Sequence, residues 1–582
     1  MHKNLSLTKG EVKMTQGKVL VIGLDGATFD LIKPWVKDGK LPTLKRVMER
    51  GTHGVLLSTH QSNSPQAWTS FMTGKNAGKH GIFDFVEPVP NSYDVKFINA
   101  SYRNGKTLWR IISDVGKKVV VINVPITFPA EEVNGCIISG WDSPGISRDS
   151  VYPPDLLREI NKEVGSYILE PGVTGFIHKG RRDLALNKMY ESIDNRFRAA
   201  KYLLKNKEWD FFAVVFTSID RVQHYFWKFI NPDHPNYDPE DREGFGNAIY
   251  SIYQRLDNTL NDLISDLPED VTVFIMSDHG GGPSSNKTFY INHWLAEQGL
   301  LRFTSNNSIK RRIKKAGHKG LRTINFLLKG FLSRRMKEKL ARIFPELRNR
   351  VDSTLYLSGI DWDNTLAYSR ENAPTIHINL KGREPKGTVE PGDAYKKVRE
   401  DIINKLLNLR CPQTNEPIVE RVLKKEEMYT GKFTYKAPDL LIQWKNDAYI
   451  QRPSYTNKNG KWVQILTHRE LEWAETVSRP SGIHRREGIF LAMGKHIKQS
   501  FQIQGASIVD IFPTVLFTMG IPIPEDTDGK VLTEIFKEDF IQSNPVKTSG
   551  QPDYTQTKDE RTYSDSEAAL IEERLKGLGY ID

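Results

Sequence analysis

Five short, largely apolar runs constrain this chain more than any other feature: Val19–Leu24, Val119–Val124, Phe211–Phe216, Val271–Met276 and Ile489–Ala492. Each is strand-length and lacks polar alternation, the pattern of a parallel strand covered on both faces. Turn residues and helical patterns follow them, among them Leu31–Val36, Ala199–Leu204 and Ile249–Leu267. That alternation predicts an α/β fold, an open doubly wound sheet of mostly parallel strands with helices on both faces. With 582 residues the chain can hold such a core with insertions, or about three or four domains.

Three of the runs lead into acids. Asp25 follows Val-Ile-Gly-Leu, Asp220 lies four residues past Phe216, and Asp278 follows Phe-Ile-Met-Ser. The crevice of an open α/β sheet lies at the carboxyl ends of its strands, so the three acids are predicted to meet at one edge. Singly, each reads equally well as a turn residue or a helix N-cap. Asp220-Arg-Val-Gln-His224 changes that balance, because residues four apart on a helix share a face and can reach one metal ion. Asp278-His279 is a second acid–imidazole pair. The Gly280-Gly281-Gly282-Pro283 after it reads as a loose turn that lets neighbouring side chains aim into one pocket. Ser481-Gly-Ile-His484 precedes the last apolar run, and its histidine, expected on a loop, would supply a further ligand. Downstream of Asp25, Ser62-Asn-Ser64-Pro-Gln-Ala-Trp offers serines that a divalent cation could activate as nucleophiles; alone, such a serine reads better as an N-cap.

Together the motifs VIGLDGATFD, SPQAWTSFMTGKNAGKHGIFDF, FTSIDRVQHYFW, VFIMSDHGG and GIHRREGIFLAMG resemble the alkaline phosphatase superfamily. Within it the chain is similar to type I phosphodiesterase/nucleotide pyrophosphatase-like proteins of the phosphohydrolase or phosphomutase group. The resemblance spans residues 17–535 and the last helix. It implies an alkaline phosphatase-like fold and a metal-dependent phosphohydrolase or phosphodiesterase that cleaves a phosphate ester through a phosphoserine intermediate at a two-metal site. Ser64 takes the nucleophile's place. Asp220, His224 and His484 take the places of one metal's ligands. Asp25, Asp278 and His279 take those of the other's, with Ser64 Oγ completing its coordination. Carboxylate and imidazole ligands suit Zn²⁺, with Mn²⁺ as the alternative. Phosphomutase or phosphotransferase chemistry on the same site is the nearest rival, and a non-catalytic scaffold docking through a basic insertion the next.

Two departures narrow the resemblance. Pro65-Gln66-Ala67 stands where nucleotide pyrophosphatases carry Phe-Pro-Asn, so their Asn contact to phosphate is not carried over. Asn63 and Ala67 around Pro65 lack the sulfatase signature, which argues against formylglycine chemistry. Lys75, Lys79 and Arg221 are expected to be solvated rather than to grip phosphate. No substrate-binding residue is assigned.

The net charge of +11 is a local property: residues 301–350 hold 16 Lys and Arg against 2 Asp and Glu, leaving 66 bases and 69 acids elsewhere. Within that stretch, 309–343 mixes basic clusters with Ile313, Leu321, Phe326 and Phe331. It reads as a helical lid or, through its basic face, as a contact with an anionic membrane surface. Few aromatics for base stacking argue against nucleic acid; the resemblance implies a phosphorylated small-molecule or lipid-like substrate as the partner. The expected organisation is a core in two parts, 17–300 and 357–542, a basic helical insertion over 301–356, and a linker with a C-terminal helix over 543–582. The linker itself is placed at 543–561 and the helix at Ser566–Leu578. Two cysteines, Cys136 and Cys411, exclude a disulfide scaffold. The N-terminus lacks the apolar centre of a secretory signal, and no uninterrupted apolar span of about 18 residues occurs. A cytoplasmic location, peripheral to the membrane if the insertion binds it, is therefore expected.

Overall fold

The apolar runs form the middle of one large sheet. The computed structural model describes residues 17–237, 239–304, 357, 359–453, 461–468, 470–471, 479–550 and 561–577. Its ten-stranded sheet runs in the order Phe501–Gln502, Thr52–Leu57, Glu487–Met493, Val271–Met276, Lys18–Leu24, Phe211–Phe216, Val119–Ile122, Gly135–Ile138 and Val151–Tyr152. Ala506–Ser507 also pairs with Thr52–Leu57. Lys18–Leu24 lies between two parallel neighbours, with Val19 opposite Phe211 on one side and Thr272 on the other.

Side chains alternate faces along these strands, and both faces are dry. Leu20, Ile22 and Leu24 pack in one cluster with Ile193, Ile219 and Leu256 from the helices Arg182–Asn206, Ser218–Phe226 and Ala248–Ile264. Val19 and Val21 pack in another with Trp68, Trp109 and Phe512 from Ser64–Thr73, Leu108–Asp114 and Ile511–Thr518. Each fully buried side chain of this kind contributes about 1.5–3 kcal/mol, which is why the strands need no polar face. The doubly wound fold is therefore as expected.

The expectation of five parallel strands is corrected at one of them. Glu487–Met493 runs antiparallel to both neighbours, Val271–Met276 and Thr52–Leu57. Outside the large sheet, Val86–Pro88 and Val95–Phe97 form a small hairpin.

A second, antiparallel sheet orders Ala367–Tyr368, Thr375–Ile378, Leu440–Trp444 and Val419–Lys424. Its own core joins Ile376, Ile378 and Leu440 to Ile402 and Leu406 of the helix Asp393–Leu407. The basic insertion, including 309–343, lies outside the described residues from 305 to 356; the chain on either side of it meets in a bridge between Phe303 and Ile360. Of the expected linker, 551–560 likewise lie outside them. The C-terminal helix spans Asp565–Gly577. Among the described residues no helix is long and apolar enough to cross a membrane.

Candidate metal centre and nucleophile

Strand ends deliver the acids. Lys18–Leu24 stops at Asp25, whose N–H donates to Phe216 O at 3.0 Å. Gly26 then turns with φ of 73°, a left-handed conformation that glycine adopts without cost, and its N–H donates to Asp278 Oδ1 at 3.3 Å. Val271–Met276 continues through Ser277, whose hydroxyl donates to Ala27 O and accepts from Ile489 N, into Asp278 and His279. Asp220 and His224 lie four apart on the helix Ser218–Phe226, as the spacing predicts.

His484 is not on a loop. It occupies the strand Gly482–Arg485, antiparallel to Gly280–Pro283, with Gly281 opposite it. The glycines there form a strand rather than a loose turn. A Cβ on Gly280 would fall 2.1 Å from Glu487 O, so close approach of backbone, not flexibility, requires glycine. Ser64 opens the helix Ser64–Thr73 after Asn63, whose side chain caps it by accepting from Gln66 N. It is fully buried, with Oγ 3.4 Å from His279 Nε2.

All seven residues come together. Asp220 Oδ1 lies 3.1 Å from His224 Nε2 and 3.3 Å from His484 Nε2, and these two nitrogens are 3.0 Å apart. Nearby, His279 Nε2 lies 3.4 Å from Asp278 Oδ2 and 3.7 Å from Asp25 Oδ1. The rings of His279 and His484 stack with centroids 3.6 Å apart, so the two groups are contiguous.

Hydrogen bonds behind the rings fix the proton on each imidazole. Nδ1 of His224, His279 and His484 faces the carbonyl of Gly482, Gly280 and Ser62, at 2.8, 2.9 and 2.9 Å. A carbonyl only accepts, so each Nδ1 carries a hydrogen, and in the neutral ring, the form that binds a metal ion, Nε2 keeps its lone pair. In neutral rings two such lone pairs 3.0 Å apart repel, and a proton or a metal ion between them removes that repulsion. Asp25 Oδ1 and Asp278 Oδ2 are buried without a hydrogen-bond partner among the described residues. Lone pairs and orphaned carboxylate oxygens aimed inward fit divalent ions, held by ligands oriented from behind.

The electrostatics agree. Burial, reinforced by Asp278 and Asp220, pushes the Asp25 carboxyl up, and burial pushes Asp278 up as well. Burial alone would raise Asp220, but the imidazoles of His224 and His484 outweigh it and hold the carboxyl well below the usual range. His279 is pushed down by burial.

The expectation of solvation is overturned for Lys75 and Arg221, while Lys79 stays partly exposed. Lys75 is 1 % exposed and paired with Asp526 at 2.6 Å, Lys79 pairs with Asp528, and Arg221 is 1 % exposed with Nη1 2.7 Å from Asp220 Oδ2. Arg221 is a site residue missed in the sequence; its only signal was adjacency to Asp220. In front of the centre opens a cleft of about 580 Å³, lined by Asn63, His224 and His484 on one side and by Arg370, Trp444 and Tyr449 on the other. Such a space holds a small molecule.

The profile of the type I phosphodiesterase/nucleotide pyrophosphatase family matches residues 19–468. Phosphonoacetate hydrolase from Sinorhizobium meliloti 1021, solved with phosphonoformate, is 14% identical with a TM-score of 0.50, over 87% of this chain and 96% of that one, which shows a shared fold. An inactive variant of murine ectonucleotide pyrophosphatase/phosphodiesterase 5 in complex with AMP is 13% identical with a TM-score of 0.43, over 87% and 95%. No curated protein matches the sequence.

Proposed function

The chain belongs to the type I phosphodiesterase/nucleotide pyrophosphatase family, and on that premise we propose that Ser64 attacks a phosphate ester at a site holding two divalent ions. The family places it among phosphoric ester hydrolases that use divalent metals and act on phosphorylated small molecules. In this reading Asp220, His224 and His484 hold one ion, and Asp25, Asp278, His279 and Ser64 Oγ hold the other. The ligand set, without thiolate, favours Zn²⁺ over Mn²⁺. Bound ions would supply Lewis-acid chemistry, lowering the pKa of the serine hydroxyl and offsetting charge on the phosphoryl oxygens.

The chain's own residues do the rest. Asn63 caps the helix that opens at Ser64 and so holds its Oγ beside His279, and burial keeps bulk water from competing with it. Ser64 Oγ forms a bond to phosphorus as the ester oxygen leaves in line; water then displaces phosphate from the phosphoserine and returns the hydroxyl. A mutase or transferase would present an acceptor alcohol instead of water.

One observation carries this reading: inward-facing Nε2 lone pairs and partnerless carboxylate oxygens surround a buried serine. Hydrolysis of nitrophenyl mono- and diesters by metal-stripped protein, with Zn²⁺ or Mn²⁺ added back, tests it. Activity should need the metal and disappear in Ser64→Ala and Asp278→Asn; full activity in either variant sinks the assignment. Phosphorylated alcohol formed in the same assay would identify transfer.

For 309–343 the sequence supports a cover over the cleft or contact with anionic lipid. Flotation with anionic and neutral vesicles separates the two. Equal recovery in both, for wild type and a 310–315 charge-reversed variant alike, excludes the lipid contact.

A further inference from the structure

The two oxygens of Asp220 have different surroundings. Oδ1 faces His224 and His484, whereas Oδ2 accepts from Arg221 Nη1 at 2.7 Å. The Arg221 guanidinium lies 4.6 Å from the ring centroid of Trp141, and its Nε is 3.5 Å from Glu170 Oε1. Trp141 is fully buried, and its backbone carbonyl and that of Ser143 both accept from Arg574 Nη1. Arg574 belongs to the C-terminal helix Asp565–Gly577, whose Ile571 and Leu575 share one apolar cluster with Trp141, Phe85 and Ile126. Just before that helix, Arg561 pairs with Asp149 at 3.0 Å and lies 4.8 Å from the Phe128 ring centroid. The helix Asp565–Gly577 is thus connected, through Trp141 and Arg221, to the back of a carboxylate at the centre.

Resting on the metal reading above, we propose that the helix Asp565–Gly577 clamps the Asp220, His224 and His484 metal position, with Arg574 and Arg221 as positioning residues. Arg574 ties down residues 141–143. The Trp141 face holds the Arg221 guanidinium, a planar cation that lysine does not replace at a stacked site. Arg221 in turn fixes Oδ2, so that Oδ1 alone turns to the ion. A ligand held in one rotamer gives up less freedom on binding metal, and contacts behind the ligands change metal affinity by about 10–100-fold. Neither arginine touches the ion or the ester.

Competition for Zn²⁺ against a chromophoric chelator, with the full chain, tests this. Arg574→Ala should weaken one of the two sites by about tenfold, leaving the other, and kcat at saturating Zn²⁺, within about twofold. Arg574→Lys, which still donates to both carbonyls, should recover most of the affinity. Arg221→Lys, which keeps charge but loses the stack, should not. Glu573→Ala, on the exposed side of the same helix, should match wild type. Arg574→Gln guards against misfolding of the alanine variant: intermediate affinity supports the clamp, and wild-type affinity overturns it. If Arg574→Ala lowers the unfolding midpoint of metal-free protein yet binds both ions like wild type, the helix merely packs and the clamp fails alone. Wild type that binds no divalent ion overturns the metal reading and the clamp with it.

Discussion

Asp439, just before the strand Leu440–Trp444 of the antiparallel sheet, and the Asp25, Asp220 and Asp278 group at the edge of the large sheet are comparably buried, but only one of them is answered by its own chain. Asp439 receives Arg383 Nη1 and Nη2 at 2.8 and 2.7 Å, Lys425 Nζ at 3.0 Å, Tyr395 Oη at 2.6 Å and the N–H of Ile378 at 2.6 Å. Burial would raise its carboxyl, but Arg383 and Lys425 outweigh that and hold it well below the usual range. At the other centre one arginine pairs with one of the three carboxylates, the other two carboxyls are pushed up, and an oxygen of each of those two has no hydrogen-bond partner among the described residues. A buried charge satisfied from within serves the fold; one left short is held for something that arrives from outside.

The sharpest way to break that contrast is to remove groups from each side and read both activity and stability. Ser64→Ala should lower kcat by at least about 10³-fold with little change in the urea midpoint. Asp439→Asn should do the reverse, destabilising by about 3–5 kcal/mol because Arg383 and Lys425 are left uncompensated, with kcat of the folded fraction unchanged. A stability loss confined to the first or an activity loss confined to the second would erase the distinction. Zn²⁺ at 100 times its Kd should stabilise metal-stripped wild type by about 2.7 kcal/mol, read as a shift of the urea midpoint, and should stabilise Asp439→Asn equally.

The last contrast is in pH, where a pKa that moves by one unit corresponds to about 1.4 kcal/mol. The raised Asp278 carboxyl binds its proton more tightly folded than unfolded, so its contribution is present in acid and is lost as pH rises through the folded pKa. Asp439, depressed, contributes above the ordinary carboxylate range, and that contribution is lost as pH falls. Metal-free Asp278→Asn should therefore lose less stability than wild type on going from acid to neutral pH, and Asp439→Asn less on going the other way. Both slopes are read from urea titrations at several pH values.

Five of the ten strands of the large sheet were legible as strand-length apolar runs, and the acids that follow them together with the nearby histidines marked the metal centre, whereas Ser64 was singled out only by the family resemblance. Strand direction was not: the apolar side chains of Glu487–Met493 suit a buried strand of either sense, and only its pairing sets it antiparallel. The second sheet was missed because its strands are two to six residues long and one of them reads Val-Glu-Arg-Val-Leu-Lys. Arg221 was misread because solvation is the general rule for arginine, and the partners that bury it, Trp141 and Glu170, are distant in sequence. Arg574 was silent for the same reason.

Counting bound ions is the sharpest check on the centre. Metal-stripped protein is dialysed against Zn²⁺ and the metal retained per chain is determined by atomic absorption. The account predicts two ions in wild type and at most one in His279→Ala, since His279 borders both groups. Wild type retaining none, or His279→Ala retaining two, contradicts it.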